Sequence, residues 1–150
     1  MDTKNFFLMD IVDKIDGANM PLLKQNIEEL SDEEMQSLMC ISFKNPVVGL
    51  LFGFFMGIFG FDRFYKGDMI LGVAKIILFV LCVVLFVSGI VILATSGFRD
   101  EEQAIALLVC LGLAFLASLI WWFVDLFMVY FGIKKDNFIK IMEAIRVLKS

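Results

Sequence analysis

Four ionisable side chains lie inside or beside long apolar segments of this chain: Asp62, Arg63, Lys75 and Asp125. The first two belong to a glycine-rich run at residues 57–67 (GIFGFDRFYKG), in a chain whose residues are 60% apolar. A lone carboxylate in apolar surroundings is strongly disfavoured unless it is paired or faces water. These residue types can therefore form an ion-paired cluster, or line a path for an ion or a proton.

The order of the apolar segments indicates which of these side chains can meet. If the segment after Arg63 crosses a bilayer and the next one returns, Asp125 comes back to the face of the bilayer that holds Arg63. We expect Asp125 to accept hydrogen bonds from Arg63 or Lys75, and so to hold the charged turn against the third segment. The alternative is that Asp125 takes part in an ion or proton path.

Glycines and aromatic residues accompany this charged turn. Gly49, Gly53 and Gly57 recur every four residues, with Gly60 next, and they predict a smooth helix face for close packing, either within one chain or between copies. Aromatic side chains near the ends of the apolar segments are predicted to form a belt at the membrane interface. The members of this belt are Tyr65, Trp121, Trp122 and Tyr130.

Three apolar segments, at residues 46–61, 69–95 and 104–133, indicate an integral membrane protein. The second and third are long enough to cross a hydrocarbon core of about 30 Å as tilted helices. The first, at about 24 Å as a helix, could cross if it extends further, or could enter the membrane and return. The predicted fold class is an all-α membrane protein with two to three transmembrane or re-entrant helices and short amphipathic helices at both termini.

The residues before the first apolar segment predict an acidic helical head at residues 1–44. We expect helices at residues 4–15, from about Pro21 to Leu30, and from a capping box that begins at Ser31. The membrane domain is predicted at residues 45–133. A basic amphipathic helix at residues 134–150 follows, which lies either at the membrane interface or against the head.

The basic residues predict the topology. Lys134, Lys135 and three further bases follow the last apolar segment, whereas the loop at residues 97–103 holds three acids and Arg99. The positive-inside rule places the C-terminus and Arg63 in the cytoplasm. Three full crossings would put the head outside, and a re-entrant first segment would keep the head, the turn and the C-terminus cytoplasmic. We favour the second arrangement, in a plasma (inner) membrane, because the N-terminus lacks the features of a signal peptide.

The motifs at the turn, at residues 72–75 (GVAK) and at residues 121–127 (WWFVDLF) resemble the TM2 domain family. That family has a G-x-x-G-x-(D/H)-R-F-Y-x-G turn after an Asn-Pro-led apolar segment, and a W-x-x-D in a later segment. Asn45 and Pro46 occupy the position of that lead-in. Here 45 residues separate Lys75 from Trp121, a longer spacer than is typical of the family, so the resemblance implies a membrane module with an extended insert rather than a reaction.

The composition argues against several functions. The chain has no histidine, no C-x-x-C pair and no phosphate-binding glycine loop, so we expect no enzyme activity, no catalytic residues, no metal site and no cofactor. The net charge of −4 disfavours nucleic acid as a partner. The leading hypothesis is a homo-oligomeric or partner-binding membrane module whose acidic head is the docking surface. The second is an oligomeric ion channel or membrane-permeabilising pore lined by Asp125, Lys75 and the acids of residues 97–103.

Overall fold

A computed structural model describes residues 3–96 and 101–149. Throughout these residues the regular secondary structure is helical, as predicted for an all-α membrane protein. The α-helices, in chain order, are α1 (Thr3–Ile11), α2 (Met20–Glu28), α3 (Asp32–Met39), α4 (Pro46–Met56), α5 (Phe61–Lys66), α6 (Met69–Ser96) and α7 (Glu101–Leu148). Short 3-10 helices at Gly17–Asn19 and Gly57–Phe59 precede α2 and α5.

The helices of the head begin where the capping residues predict. Pro21 lies in the first turn of α2. Ser31 caps α3 through its hydroxyl, and Glu34 reaches back to the Ser31 backbone, so the predicted capping box is confirmed. The first helix is shorter than predicted, because α1 ends at Ile11 and a turn follows, although Ile15 is still buried.

Two compact units make up the chain. The first contains residues 1–51 and 128–150, and the second contains residues 52–127. The head and the C-terminal part of α7 therefore belong to one unit, whereas the sequence suggested separate domains at residues 1–44 and 134–150. The helix predicted at 134–150 is continuous with the third apolar segment, because Lys134 and Lys135 are good helix formers and neither Pro nor a capping Gly follows them.

The first unit has a hydrophobic core that joins both ends of the sequence. Ile141 and Ile145 of α7 are buried against apolar side chains of α1, α2 and α3. The amphipathic face after residue 133 thus packs on the head, which resolves the two interpretations of that face. The buried residues of this core are Phe7, Ile11, Ile15, Leu23, Ile27, Leu30, Met35, Leu38, Ile141 and Ile145.

Asn137 is a buried polar residue of α7 within this unit, and its amide connects three segments. Its Oδ1 accepts the backbone N–H of Lys44 at 3.2 Å. Its Nδ2 donates to the backbone carbonyls of Lys44 at 2.8 Å and Lys14 at 2.9 Å. Because one side chain bonds the backbone that follows α1 and the backbone that precedes α4, it fixes the position at which the chain enters α4.

Two glycines turn the chain between α4 and α6. Gly60 and Gly67 have φ angles of 73° and 106°, a region that other residues rarely adopt. A β-carbon at Gly60 would lie 2.8 Å from the carbonyl oxygen of Gly72 on α6, so the turn also needs glycine for space. The short helix α5, with Asp62 and Arg63, lies between these two turns.

Two helices are long and apolar enough to cross a membrane, over Met69–Ile92 of α6 and Ile105–Leu148 of α7. Most of their apolar side chains are exposed, as expected where hydrocarbon rather than protein surrounds a helix. α6 and α7 approach each other closely at Gly89, where a β-carbon would lie 3.3 Å from Leu111.

The shared core of the first unit brings together residues from before and after the apolar segments. α4 has 11 residues, about 16 Å as a helix, and is shorter than a hydrocarbon core of about 30 Å.

Candidate functional site: a buried ion-paired cluster

Arg63 and Asp125 form the centre of a buried cluster, although 61 residues separate them in the sequence. The guanidinium contacts both carboxylate oxygens, with Nε 3.3 Å from Oδ2 and the second bond joining an outer nitrogen to Oδ1. Arg63 and Asp125 are 5% and 2% exposed. The two-point contact fixes the rotation of α7 relative to α5, because a planar guanidinium fork matches a carboxylate in few orientations.

Lys75 bridges the two carboxylates of the cluster. Its ammonium lies 2.7 Å from Oδ2 of Asp62 and also contacts Oδ2 of Asp125. The structure therefore brings together all four charged residues singled out in the sequence, and Asp125 contacts both Arg63 and Lys75. One residue comes from each of α6 and α7 and two come from α5, so the cluster connects three helices.

A fifth residue, Asp68, was not singled out in the sequence. Its Oδ2 accepts from Lys66 at 2.7 Å and from Arg63 at 3.2 Å. Asp68 follows the αL glycine that ends α5, and this placement is a signal in the sequence for a carboxylate folded back towards the helix. The Lys66 hydrogen bond holds the pKa of Asp68 below its ordinary value, against a smaller opposing effect of burial.

Asp62 differs from the other two carboxylates of the cluster. It is 1% exposed, and among the residues that the structure describes its Oδ1 has no hydrogen-bond partner. Burial raises the pKa of Asp62 above its ordinary value, Lys75 opposes that shift, and the nearby Asp125 adds to it. Asp62 is thus the carboxylate whose ionised form is least well compensated.

The glycine face of α4 packs within the chain. A β-carbon at Gly53 would lie 2.7 Å from Cδ2 of Leu126, and one at Gly57 would lie 3.1 Å from the indole nitrogen of Trp122. Gly60 faces α6, and Gly49 is buried as well. Of the two interpretations of this face, packing within one chain accounts for the contacts of Gly53, Gly57 and Gly60.

The four aromatic residues predicted to form a belt have different surroundings. Trp121 is exposed, whereas Trp122 donates a hydrogen bond from Nε1 to the carbonyl of Gly53 at 3.0 Å. Tyr65 packs against Phe52 with ring centroids 5.4 Å apart. Tyr130 lies under the Lys134 ammonium, 4.8 Å from the ring centroid. Trp122 and Tyr65 therefore make specific contacts inside the chain.

The remaining candidate residues are at the connection between α6 and α7. Residues 97–100, with Arg99 and Asp100, lie outside the described residues. α7 begins at Glu101, so residues 101–103 are helical rather than part of the predicted loop, and Glu102 is exposed. Over the part of the chain that the structure describes, no group of three or more Cys, Asp and Glu side chains could hold a metal ion.

A comparison with known families agrees with the resemblance that the charged turn and its neighbouring motifs suggested. Residues 42–95 match the family model of the TM2 domain. The chain therefore contains a TM2-like segment at these residues. Searches of curated proteins and of solved structures gave no match.

The TM2 match includes Asp62, Arg63 and Lys75 but ends before α7. Asp125 and Trp122 lie outside the matched residues, and both contact residues inside them. In this chain, α7 therefore completes the cluster that the TM2-like segment begins. The long insert seen in the sequence corresponds to the end of α6, the connection to α7 and the first part of α7.

Proposed function

We propose that this protein is a non-enzymatic membrane module that presents its acidic head to a partner protein. The observation that carries the proposal is the combined core of the head, in which Ile141 and Ile145 of α7 are buried against α1, α2 and α3. The C-terminal part of α7 is therefore part of the folded unit that carries the acidic surface.

The charges of the head favour a basic partner. Two lysines of the first unit donate to its own backbone: Lys4 to the carbonyls of Glu28 and Leu30, and Lys140 to the carbonyl of Ser42. Exposed carboxylates lie at Asp13, after α1, at Glu28 of α2, and at Asp32 and Glu33 of α3. Complementary charge increases the rate and specificity of association, so a lysine- or arginine-rich segment fits this surface.

The paired cluster supports a structural role for the intramembrane charges. Lys75 and Asp125 are the charged residues of the apolar segments at 69–95 and 104–133. Both are engaged with partners inside the chain. A static cluster of this kind holds α5, α6 and α7 together, whereas a conduction path needs charged groups that face water.

We propose a plasma (inner) membrane location with the head and the C-terminus in the cytoplasm. The bases that follow the third apolar segment support this orientation through the positive-inside rule. The shared core of head and C-terminal helix supports one side for both. Cysteine labelling at Cys40, which is exposed in the head, tests the orientation in intact cells with an impermeant reagent. Protection in intact cells and labelling after lysis are expected, and labelling in intact cells would contradict the proposal.

The docking proposal is tested by comparing the mass of the purified protein with the mass of the protein cross-linked in its own membranes. The protein purified into nanodiscs should be a monomer or dimer, and the protein cross-linked in its own membranes should be heavier by the mass of a partner. Reversal of charge in Asp13→Lys with Glu33→Lys should abolish the heavier species, whereas Lys24→Glu, which makes the head more acidic, should retain it. Equal masses in both preparations would contradict the proposal.

The alternative function is an oligomeric channel or pore. One chain provides two crossing helices, so a water-filled path requires several copies. Four or more subunits in the nanodisc, with a conductance that Asp125→Ala removes while assembly stays intact, would replace the docking proposal with this one.

A further inference from the structure

We propose that Asp62 is a proton-binding site, and that loading it as the pH falls converts its ion pair with Lys75 into a hydrogen bond to a neutral carboxyl group. This inference is independent of what the head binds. It rests on the geometry of the cluster, in which three carboxylates do not have equal numbers of basic partners. The carboxylates are those of Asp62, Asp68 and Asp125, and the bases are Arg63, Lys66 and Lys75.

The hydrogen bonds of the cluster show this inequality. Asp125 has both oxygens occupied, by Arg63 and Lys75. Asp68 accepts from Lys66 and Arg63. Asp62 accepts from Lys75 alone, and it shares that ammonium with Asp125.

Oδ1 of Asp62 is the atom that would receive the proton. It is a buried oxygen without a hydrogen-bond partner, on a side chain that is 1% exposed. A buried, uncompensated carboxylate oxygen is unfavourable, and protonation removes the charge that makes it so. The step adds one proton to one oxygen, so Asp62 becomes a neutral carboxylic acid and Lys75 keeps Asp125 as its ionic partner.

The groups around Asp62 agree with a proton rather than a metal ion. Lys75 faces it from α6, Asp125 faces it from α7, and Arg63 is its neighbour on α5. α4 presents Gly53, whose added β-carbon would lie 3.6 Å from the β-carbon of Asp62. Two cations this close repel a metal ion, whereas the second carboxylate favours a proton. Burial also raises the pKa of Asp62.

Infrared spectroscopy of the whole protein in nanodiscs tests the proposal directly. As the pH falls, the wild type should gain one protonated-carboxyl band before the exposed carboxylates titrate near pH 4. The band should be absent at that pH from Asp62→Asn, and present in the control Asp13→Asn, whose carboxylate is exposed. Persistence of the band in Asp62→Asn would assign the proton to another carboxyl and overturn the proposal.

A second variant keeps the proposal testable if Asp62→Asn folds poorly. Lys75→Gln removes the ammonium that favours ionised Asp62, so the band should appear at a higher pH than in the wild type. If the band appears at the same pH in Lys75→Gln as in the wild type, the proposal is overturned. It is also overturned if the wild type shows no band at a pH above about 4, the ordinary pKa of a solvated carboxylate.

Discussion

The indole of Trp122 donates a hydrogen bond to the carbonyl of Gly53, 3.0 Å away across α4 and α7. We expect Trp122→Phe to lower the free energy of unfolding by about 1 kcal/mol, because the carbonyl loses its donor while most of the ring packing remains. The adjacent Trp121→Phe is the matched control, since Trp121 is 57% exposed. Thermal unfolding of both variants in the same detergent measures the difference, and equal losses would contradict a specific role for the Trp122 hydrogen bond.

Close packing at Gly53 predicts that even alanine is unfavourable there. Its β-carbon would lie 2.7 Å from Cδ2 of Leu126, so Gly53→Ala should destabilise the protein by about 1–3 kcal/mol. Gly112→Ala is the control, because a β-carbon at Gly112 meets open space within a helix. Thermal unfolding should show a loss for Gly53→Ala alone. Leu126→Ala, combined with Gly53→Ala, should recover part of that loss, and a further loss in the double variant would argue against the contact.

Asp125 is predicted to be the most sensitive carboxylate of the cluster. Asp125→Asn leaves two buried cations with weaker acceptors, and breaking a buried pair by removing one partner costs about 3–5 kcal/mol. Asp13→Asn, at an exposed position, should change stability little. Unfolding monitored by circular dichroism in nanodiscs measures both. Equal stability and assembly of Asp125→Asn and the wild type would refute the view that the cluster holds the helices together.

The amide of Asn137 connects the backbone of Lys14, the backbone of Lys44 and α7 in the first unit. In Asn137→Ala three buried or half-buried backbone groups lose their partner, and each such loss costs about 1–3 kcal/mol. We expect faster amide hydrogen exchange at residues 40–46 and a lower unfolding temperature. Asn5→Ala, on the exposed side of α1, should change neither quantity. Unaltered exchange at residues 40–46 in Asn137→Ala would show that this connection is held by other contacts.

Asp68 makes the turn sensitive to acid. Its pKa is lowered in the folded protein through Lys66 and, to a smaller extent, Arg63. A carboxylate with a lowered folded pKa contributes stability above its unfolded pKa, and that contribution is lost as the pH falls through the folded value. Asp68→Asn should therefore reduce stability at neutral pH and flatten the acid limb of the stability profile. A parallel profile for variant and wild type, measured from pH 7 down to about pH 3, would contradict this assignment.

Asp62 has the opposite sign, and its effect lies at higher pH than that of Asp68. Its pKa is raised in the folded protein, so the stability of the folded state increases as the pH falls from the folded pKa towards the unfolded pKa. Stability profiles of Asp62→Asn and Asp68→Asn should therefore deviate from the wild type in opposite directions. This contrast separates the two carboxylates although both lie near Arg63.

Several features could be predicted from the sequence because they depend on local chemistry. The apolar segments require helices in a bilayer, where every backbone group must be satisfied within the chain. Ser31 and Glu34 specify the start of α3 through a capping box. The isolated charges in apolar sequence required partners, and the alternation of segments indicated that Asp125 would find them near Arg63.

Other features depend on which surfaces meet, and the sequence left them open. Trp121 and Trp122 are adjacent tryptophans that the sequence does not distinguish. The rotation of α7 decides that Trp122, and not Trp121, contacts Gly53. The amphipathic face around Ile141 fits a membrane surface or a protein core equally well, because both are apolar. Asn137 was missed because its backbone partners, at Lys14 and Lys44, lie in irregular connections, and Asp68 was missed because it lies in the turn after α5.

From its residues alone, this sequence determined an all-α membrane protein, a charged glycine turn of the TM2 type, and a need to pair four charges that lie inside or beside apolar segments. The tertiary structure decided that Lys75 is shared by two carboxylates, that one oxygen of Asp62 has no partner, and that the head encloses the C-terminal part of α7. The physical reason is the separation in sequence between the residues that interact. Helix formation and burial follow from neighbours in sequence, whereas the sharing of a charge depends on side chains that only packing brings together.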